Sequence, residues 1–236
     1  MKTHRFIGNF SLQKDNIFIT DPSLVHQIGR VLRLQIGESV ILCDGQGTDA
    51  EGMIASIDKK TIEIQVKERR TNTAEPTRHV TLYIAALKRD NLELVIQKAT
   101  EIGVSEIVPL RSARTIKQEA NIERLQLIAR EAAEQSGRGR VPIVHPLMPF
   151  EEAVKALPDA ASAFFFDLNA PPLLIPDTGY SIPDTRPSLF VGPEGGWTPE
   201  ERTLAEHQGL KIVGLGSRTL RGETAAIVAS YLFCTS

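Results

Sequence analysis

The sequence predicts an α/β protein in two parts, a β-rich segment over residues 1–72 and a larger domain over 73–236 built on a mostly parallel sheet. Three observations carry this reading. Short alternating or apolar runs dominate the first part, strand and helix patterns alternate in the second, and two strand–glycine–helix junctions lie near the carboxyl end.

In the first part, strands are predicted at Asn16–Ile19, Ser39–Cys43, Met53–Ile57 and Thr61–Val66. Asp44-Gly45-Gln46-Gly47 separates two of them with residues that tolerate positive φ. One helix interrupts the strands: Asp21 suits the N-cap, Pro22 the first helical position, and Leu24, Val25, Ile28, Val31 and Leu32 recur at helical spacing up to a stop at Gly37. Several short strands with one helix suggest a small barrel. The polar stretch 68–78 reads as the linker.

Beyond it, 79–87 is predicted as a strand. Asp90 is placed as a helix cap with Glu93 completing a capping box, and Gly103 ends that helix. A strand at 105–110, a long helix at 119–136, strands at 142–145 and 162–166, and a short helix at 151–157 follow. Alternation of this kind implies a parallel sheet covered on both faces. Residues 169–187 hold five of the fourteen prolines and read as a long connection serving as a lid, a subunit contact or a disordered segment.

Composition narrows the function classes. The chain has 236 residues, 42% of them hydrophobic and 24% charged, as in ordinary globular proteins. No window has the ~18 uninterrupted apolar residues of a membrane helix, and the start lacks a secretory pattern. Two cysteines, Cys43 and Cys234, are too few for a disulfide framework or a thiolate metal site. A cytoplasmic protein is expected. The net charge of −2 conceals an asymmetry, about +3 over residues 1–145 and −5 over 146–236. Any polyanion-facing residues therefore belong to the first three-fifths of the chain.

The most informative segment runs from Ser188 to Glu201. A strand leads into Gly192-Pro193-Glu194-Gly195-Gly196, then Thr198 caps a helix, Pro199 takes its first position and Glu201 closes a capping box. Glycines at the carboxyl end of a parallel strand allow close backbone approach to a ligand. A second junction follows: the strand near Lys211 enters Gly214-Leu215-Gly216, and an Ala-rich helix begins after Arg221. The two loops would share one crevice, with Arg218, Arg221 and Glu223 at its mouth. Neither a P-loop nor a dinucleotide fingerprint is present, and Glu194 disfavours a triphosphate.

These motifs resemble a known family. Gly192–Gly196 followed by Leu215-Gly216-Ser217-Arg218-Thr219-Leu220-Arg221-Gly222-Glu223-Thr224-Ala225 is similar to the bacterial 16S rRNA uracil-N3 methyltransferases of the SPOUT superfamily. The likeness extends to Lys98–Val104, Glu131–Arg138 and His26–Leu34, in order along nearly the whole chain. Thr219 and Gly222 depart from the isoleucine and threonine usual at their positions. The resemblance implies a PUA-like RNA-binding barrel, a SPOUT domain with a carboxyl-terminal trefoil knot, S-adenosylmethionine as methyl donor, and a homodimer acting on 16S rRNA within the small ribosomal subunit.

On that resemblance, Val191, Gly192, Gly195, Gly196, Leu215, Gly216, Ser217, Leu220, Thr224 and Ala225 are expected to hold the donor. Methylation at N3 of uracil requires loss of the N3 proton and stabilisation of charge on O2 and O4. Arg221 is the candidate for the second task, unless it pairs with Glu223 or contacts phosphate. Glu194 is the candidate proton acceptor, or else orients its loop. A paired uracil has N3 blocked, so the target must be unpaired or flipped out. Phosphate contacts are expected from Arg5, Arg30, Arg33, Lys88, Arg89, Arg111, Arg114 and Arg138.

Overall fold

The computed structural model describes residues 3–115, 119–173 and 186–235. The chain divides into two compact units, one of Met1–Glu75 with Ala133–Val141, the other of Pro76–Ala132 with Pro142–Ser236.

The first unit contains β1 (His4–Ile7), β2 (Asn16–Ile19), α1 (Pro22–His26), β3 (Ser39–Cys43), β4 (Thr48–Ile57) and β5 (Ile62–Thr71). They form one sheet in the order β1-β3-β4-β5-β2, antiparallel except for β1 beside β3. Alternate residues of every strand, among them Phe6, Ile17, Ile19, Val40, Leu42, Ile54, Ile62 and Ile64, meet Leu24 and Ile28 in a single core. Register shifts at Glu51/Gly52 and Ile54/Ser56 mark irregularities that bend the long β4–β5 ribbon. Gly45 and Gly47 take φ of 72° and 103°, as the turn between β3 and β4 requires.

Asp21 caps α1 as predicted, its Oδ1 accepting from the N–H groups of Ser23 and Leu24, and Pro22 opens the helix. The helix does not continue to Leu32. After His26 the chain widens into a turn in which the Leu32 N–H reaches the Gln27 carbonyl, and Arg33 exits with φ of +54°. Gly29, lacking a side chain, lowers the cost of leaving the α-helical path there.

Two further corrections concern the ends of this unit. The strand β1 has no separate signal in sequence. The stretch read as a linker from residue 68 is β5 up to Thr71, its polar composition reflecting an end of the strand exposed on both faces. Asn72 then donates to Asp49 Oδ2 and to the Gly137 carbonyl, both at 3.0 Å.

The second unit contains β6 (Thr81–Ala85), α2 (Arg89–Ile102), β7 (Glu106–Arg111), α3 (Ile122–Ser136, its residues from Ala133 onward being part of the first unit), β8 (Ile143–Val144), β9 (Met148–Pro149) and α4 (Phe150–Lys155). It continues with β10 (Ala163–Phe166), β11 (Ser188–Val191), α5 (Pro199–His207), β12 (Lys211–Val213) and α6 (Gly222–Cys234). Its sheet is parallel throughout, in the order β12-β10-β11-β6-β7-β8, with β9 also on β7. β10 and β11 are buried along their whole length, as central parallel strands are.

Alternation along β10 assigns its two faces. Phe164 and Phe166 meet Phe233 of α6, while Phe165 meets Phe150 of α4 and Trp197. α6 also packs on α2, β6 and β11. Gly103 terminates α2 with φ of 117°, and a Cβ there would run into Pro76. The start of α2 differs from expectation. Lys88 holds the N-cap without a side-chain bond, Asp90 lies inside the first turn, and Glu93 is drawn away by Arg89 and Arg124 at 2.9 and 2.7 Å. Those guanidinium bonds, from Arg124 first and Arg89 second, pull the Glu93 pKa down to about 2. Of the proline-rich connection, residues 174–185 lie outside the described residues.

Candidate functional site

The parallel sheet aligns the carboxyl ends of β10, β11 and β12 side by side. The three segments leaving them, Asp167–Asn169, Gly192–Trp197 and Leu215–Gly222, enclose a crevice of about 480 Å³. Its position matches the general location of ligand sites in open parallel sheets.

The loop after β11 is built around two glycines with different reasons. A Cβ on Gly192 would lie 3.0 Å from the Trp197 ring, so any side chain there would push the indole back from its present position. Trp197 is in turn fixed by its Nε1, which donates to the Phe166 carbonyl at 3.0 Å, and by its ring contacts with Phe165 and Phe150. Gly196 needs its φ of +69°; its N–H closes a turn onto the Pro193 carbonyl at 2.9 Å. The predicted cap of α5 forms in full: Thr198 Oγ1 accepts from the Glu201 N–H and Glu201 Oε2 from the Thr198 N–H.

The loop after β12 meets the first. Gly216 has φ of +110°, and Arg221 stands at the N-cap of α6. A Cβ on Gly222 would come within 3.0 Å of Leu87 and 3.3 Å of the Gly192 carbonyl. This position, where the family pattern has a threonine, is closed by the Leu87 side chain and the Gly192 carbonyl. Glu223, buried at the start of α6, accepts from Asn91 at 3.3 Å and lies 4.0 Å from Arg221. The Arg221 side chain remains 85% exposed, so that contact leaves its guanidinium open to the crevice mouth.

The third wall, Asp167–Asn169, carries little signal in the sequence. Asp167 follows β10, its N–H bonded to Val213, its carboxylate accepting from Arg202 at 2.9 Å and from the Asn169 N–H at 2.8 Å. The available signal was a polar Asp-Leu-Asn directly after the apolar run Ala163–Phe166, at the same sheet edge as the glycine loops. Trp197 was likewise seen only as loop sequence. Among the described residues no group of three or more His, Cys, Asp or Glu is placed to hold a metal ion.

Residues 73–233 match the model of an RNA methyltransferase domain, and residues 19–67 match an RNA methyltransferase PUA domain. The chain belongs to this RNA methyltransferase family. It is similar to the ribosomal RNA small subunit methyltransferase E of Rickettsia conorii, at 32% identity over 97% of this chain and 94% of the relative. The enzyme of the same name from Bacillus subtilis is 33% identical over 87% of this chain and 84% of its own. Among solved structures, the Neisseria gonorrhoeae ribosomal RNA small subunit methyltransferase E bound to S-adenosylmethionine superposes with a TM-score of 0.86. It is 30% identical and covers 97% of this chain and 95% of its own. A Legionella pneumophila methyltransferase with bound S-adenosylmethionine gives 0.88, at 25% identity over 98% and 96% of the two chains.

The methyltransferase crevice brings together most residues singled out from sequence. Val191, Gly192, Gly195, Gly196, Leu215, Gly216, Leu220 and Ala225 line it, as do Glu194 and Arg221. Ser217 and Thr224 are exposed and lie outside its lining. Glu194 is exposed on the loop.

The candidate phosphate contacts divide sharply. Arg30, Arg33, Lys88 and Arg111 are exposed. Arg89 is exposed but engaged by Glu93. Arg5 and Arg138 are engaged in internal ion pairs, the half-buried Arg5 bidentate to Asp49 at 2.6 Å and the buried Arg138 to Glu75 at 2.9 Å. A buried arginine committed to a carboxylate presents no fork to a phosphate. Arg114 belongs to the crevice itself, its Nη1 donating to the Gly195 carbonyl at 2.7 Å.

Proposed function

We propose that this RNA methyltransferase transfers a methyl group from S-adenosylmethionine to N3 of a uracil in 16S rRNA. The observation that carries the reading is the crevice formed by two mutually packed glycine loops, lined also by Arg114, Arg218 and Arg221 and by the carboxylates Asp167 and Glu194. Its size suits a small-molecule cofactor. Gly196 and Gly216 have no neighbouring atom within 4 Å of a built Cβ, so their α-carbons border open space that a ligand can fill. Solved relatives bound to S-adenosylmethionine support the same donor here.

When bound, S-adenosylmethionine supplies an electrophilic methyl on a sulfonium centre. The backbone of the two loops would hold it, with Val191, Gly192, Gly195, Gly196, Leu215, Gly216, Leu220 and Ala225 as walls. Glu194, exposed at the mouth, takes the N3 proton. Arg221 is aimed outward from the helix cap and stabilises charge on the uracil oxygens. Exposed Arg30 and Arg33 guide RNA phosphates on the PUA-like part, residues 1–72, and Lys88 and Arg111 do so on the methyltransferase part, residues 73–236.

The same reading includes a trefoil knot in the carboxyl-terminal segment, a homodimer, and the small ribosomal subunit in the cytoplasm as the setting. No helix among the described residues is long and apolar enough to cross a membrane.

The test is methylation of small subunits from cells lacking the protein, with methyl-labelled donor and nucleoside analysis of the digested rRNA. One labelled N3-methyluridine is expected. Label in another nucleoside, or in none, overturns the reading. Single-turnover rates then assign Arg221: Arg221→Ala should slow the saturated reaction more than it weakens either binding step.

A further inference from the structure

We propose that Arg114 is a positioning residue for the methyl donor, acting through the Gly195 carbonyl to set the peptide between Gly195 and Gly196. This rests on the donor reading above and deepens it. The peptide lies between two glycines, where the backbone has little intrinsic restraint against rotation. Both of its polar ends are held. The Gly196 N–H donates to the Pro193 carbonyl at 2.9 Å, and the Gly195 oxygen accepts from the Arg114 guanidinium at 2.7 Å, a short charge-assisted bond. The Arg114 stem also packs 3.4 Å from where a Gly195 Cβ would stand.

The arginine is itself anchored to the loop it controls. The Ala113 N–H donates to Glu201 Oε1 at 2.8 Å. The other oxygen of the same carboxylate closes the cap of α5, the helix that follows the glycine loop. Ser112 and Thr115 tie the base of the Arg114 turn through a 2.7 Å hydroxyl contact and a 3.0 Å bond from the Ser112 N–H to Thr115 Oγ1. Glu201 thus does more than cap a helix. It joins the turn after β7 to the loop after β11, and Arg114 completes the link at the donor wall.

The experiment measures S-adenosylmethionine affinity without RNA, by calorimetry, for the parent, Arg114→Ala, Arg114→Lys and Glu201→Gln. Arg114→Ala should raise the donor Kd about tenfold or more, as loss of a hydrogen bond to a charged group does. Arg114→Lys should recover part of the loss, since one donor suffices for one carbonyl. Glutamine can still close the capping box but has a single oxygen and leaves the Ala113 N–H without its acceptor, so Glu201→Gln should weaken donor binding and lower the urea midpoint modestly while the protein still folds. In turnover, the donor KM should rise and kcat at saturating donor should hold. If Arg114→Ala does not fold, Arg114→Lys and Glu201→Gln decide the matter, both being expected to weaken the donor. Parental donor affinity in the folded variants, with loss confined to RNA binding, overturns the proposal alone. A parent that binds no donor overturns the functional reading and this proposal with it.

Discussion

Replacing Gly192 and Gly196 by alanine separates two reasons for a glycine within one loop. At Gly192 the new methyl would stand 3.0 Å from Cε2 and Nε1 of Trp197, closer than carbon atoms pack comfortably. The ring has nowhere easy to go. Its Nε1 is bonded to Phe166, and its face lies 4.7 Å from the Phe165 centroid and 4.9 Å from that of Phe150. Overpacking of this kind costs about 1–3 kcal/mol, and loss of the indole hydrogen bond adds about 1 kcal/mol. At Gly196 the methyl meets nothing within 4 Å, so only the φ of +69° opposes it, at about 1–2 kcal/mol. The chain has one tryptophan, which makes its emission a local reporter. Urea unfolding followed by that emission should show Gly192→Ala as the less stable variant, with an altered native spectrum. Gly196→Ala should keep the parental native spectrum. Donor affinity should fall in both. A Gly192→Ala protein with parental emission and stability within about 0.5 kcal/mol would refute the steric argument.

Three further outcomes follow from other parts of the molecule. Burial works to raise the Asp49 pKa, but hydrogen bonds from Arg5 and Asn72 outweigh it and hold the carboxyl below its ordinary value. Its stabilising contribution is therefore present above the unfolded pKa of about 3.9 and is lost as pH falls through the lower folded value. Urea melts should show a steeper acid loss below about pH 4 in the parent than in Asp49→Asn, which at neutral pH is destabilised by about 3 kcal/mol through the stranded Arg5. Burial pushes the Cys43 thiol up to about 11, so alkylation at pH 8 with mass detection should leave it unmodified until the protein unfolds. Arg30→Ala with Arg33→Ala should reduce the salt slope of RNA binding by roughly 0.7 per lost contact with single-stranded phosphate and leave donor affinity unchanged; an unchanged slope places the RNA surface elsewhere.

Local chemistry made much of this fold readable. Asp21-Pro22, Thr198-Pro199 with Glu201, and Gly103 declare helix ends because a cap is satisfied by residues one to three positions away. The apolar runs at Ala163–Phe166 and Ser188–Val191 declare buried strands because both of their faces are covered. The same logic failed where a neighbour distant in sequence competes. Asp90 and Glu93 have capping-box spacing, yet Arg124, thirty-one positions beyond Glu93, takes the carboxylate. Strand β1 pairs with β3, and β5 extends into polar residues, because a partner strand supplies hydrogen bonds whatever the side chains.

The site divides along the same line. Sequence by itself determined that two glycine loops end strands of the parallel sheet, and that Glu194 and Arg221 stand beside them, since glycine content and helix caps are local properties; the tertiary fold decided that β10 lies between those two strands. Tertiary structure alone decided which glycines are needed for space and which for φ, because the Trp197 ring folds back over Gly192 within its own loop and Leu87 reaches Gly222 from beyond β6. It also decided that Asp167 forms a wall. The arginines show the difference most clearly. Charge is a property of composition, but availability depends on what lies within about 4 Å, and Asp49 and Glu75 remove Arg5 and Arg138 from solvent while Gly195 claims Arg114.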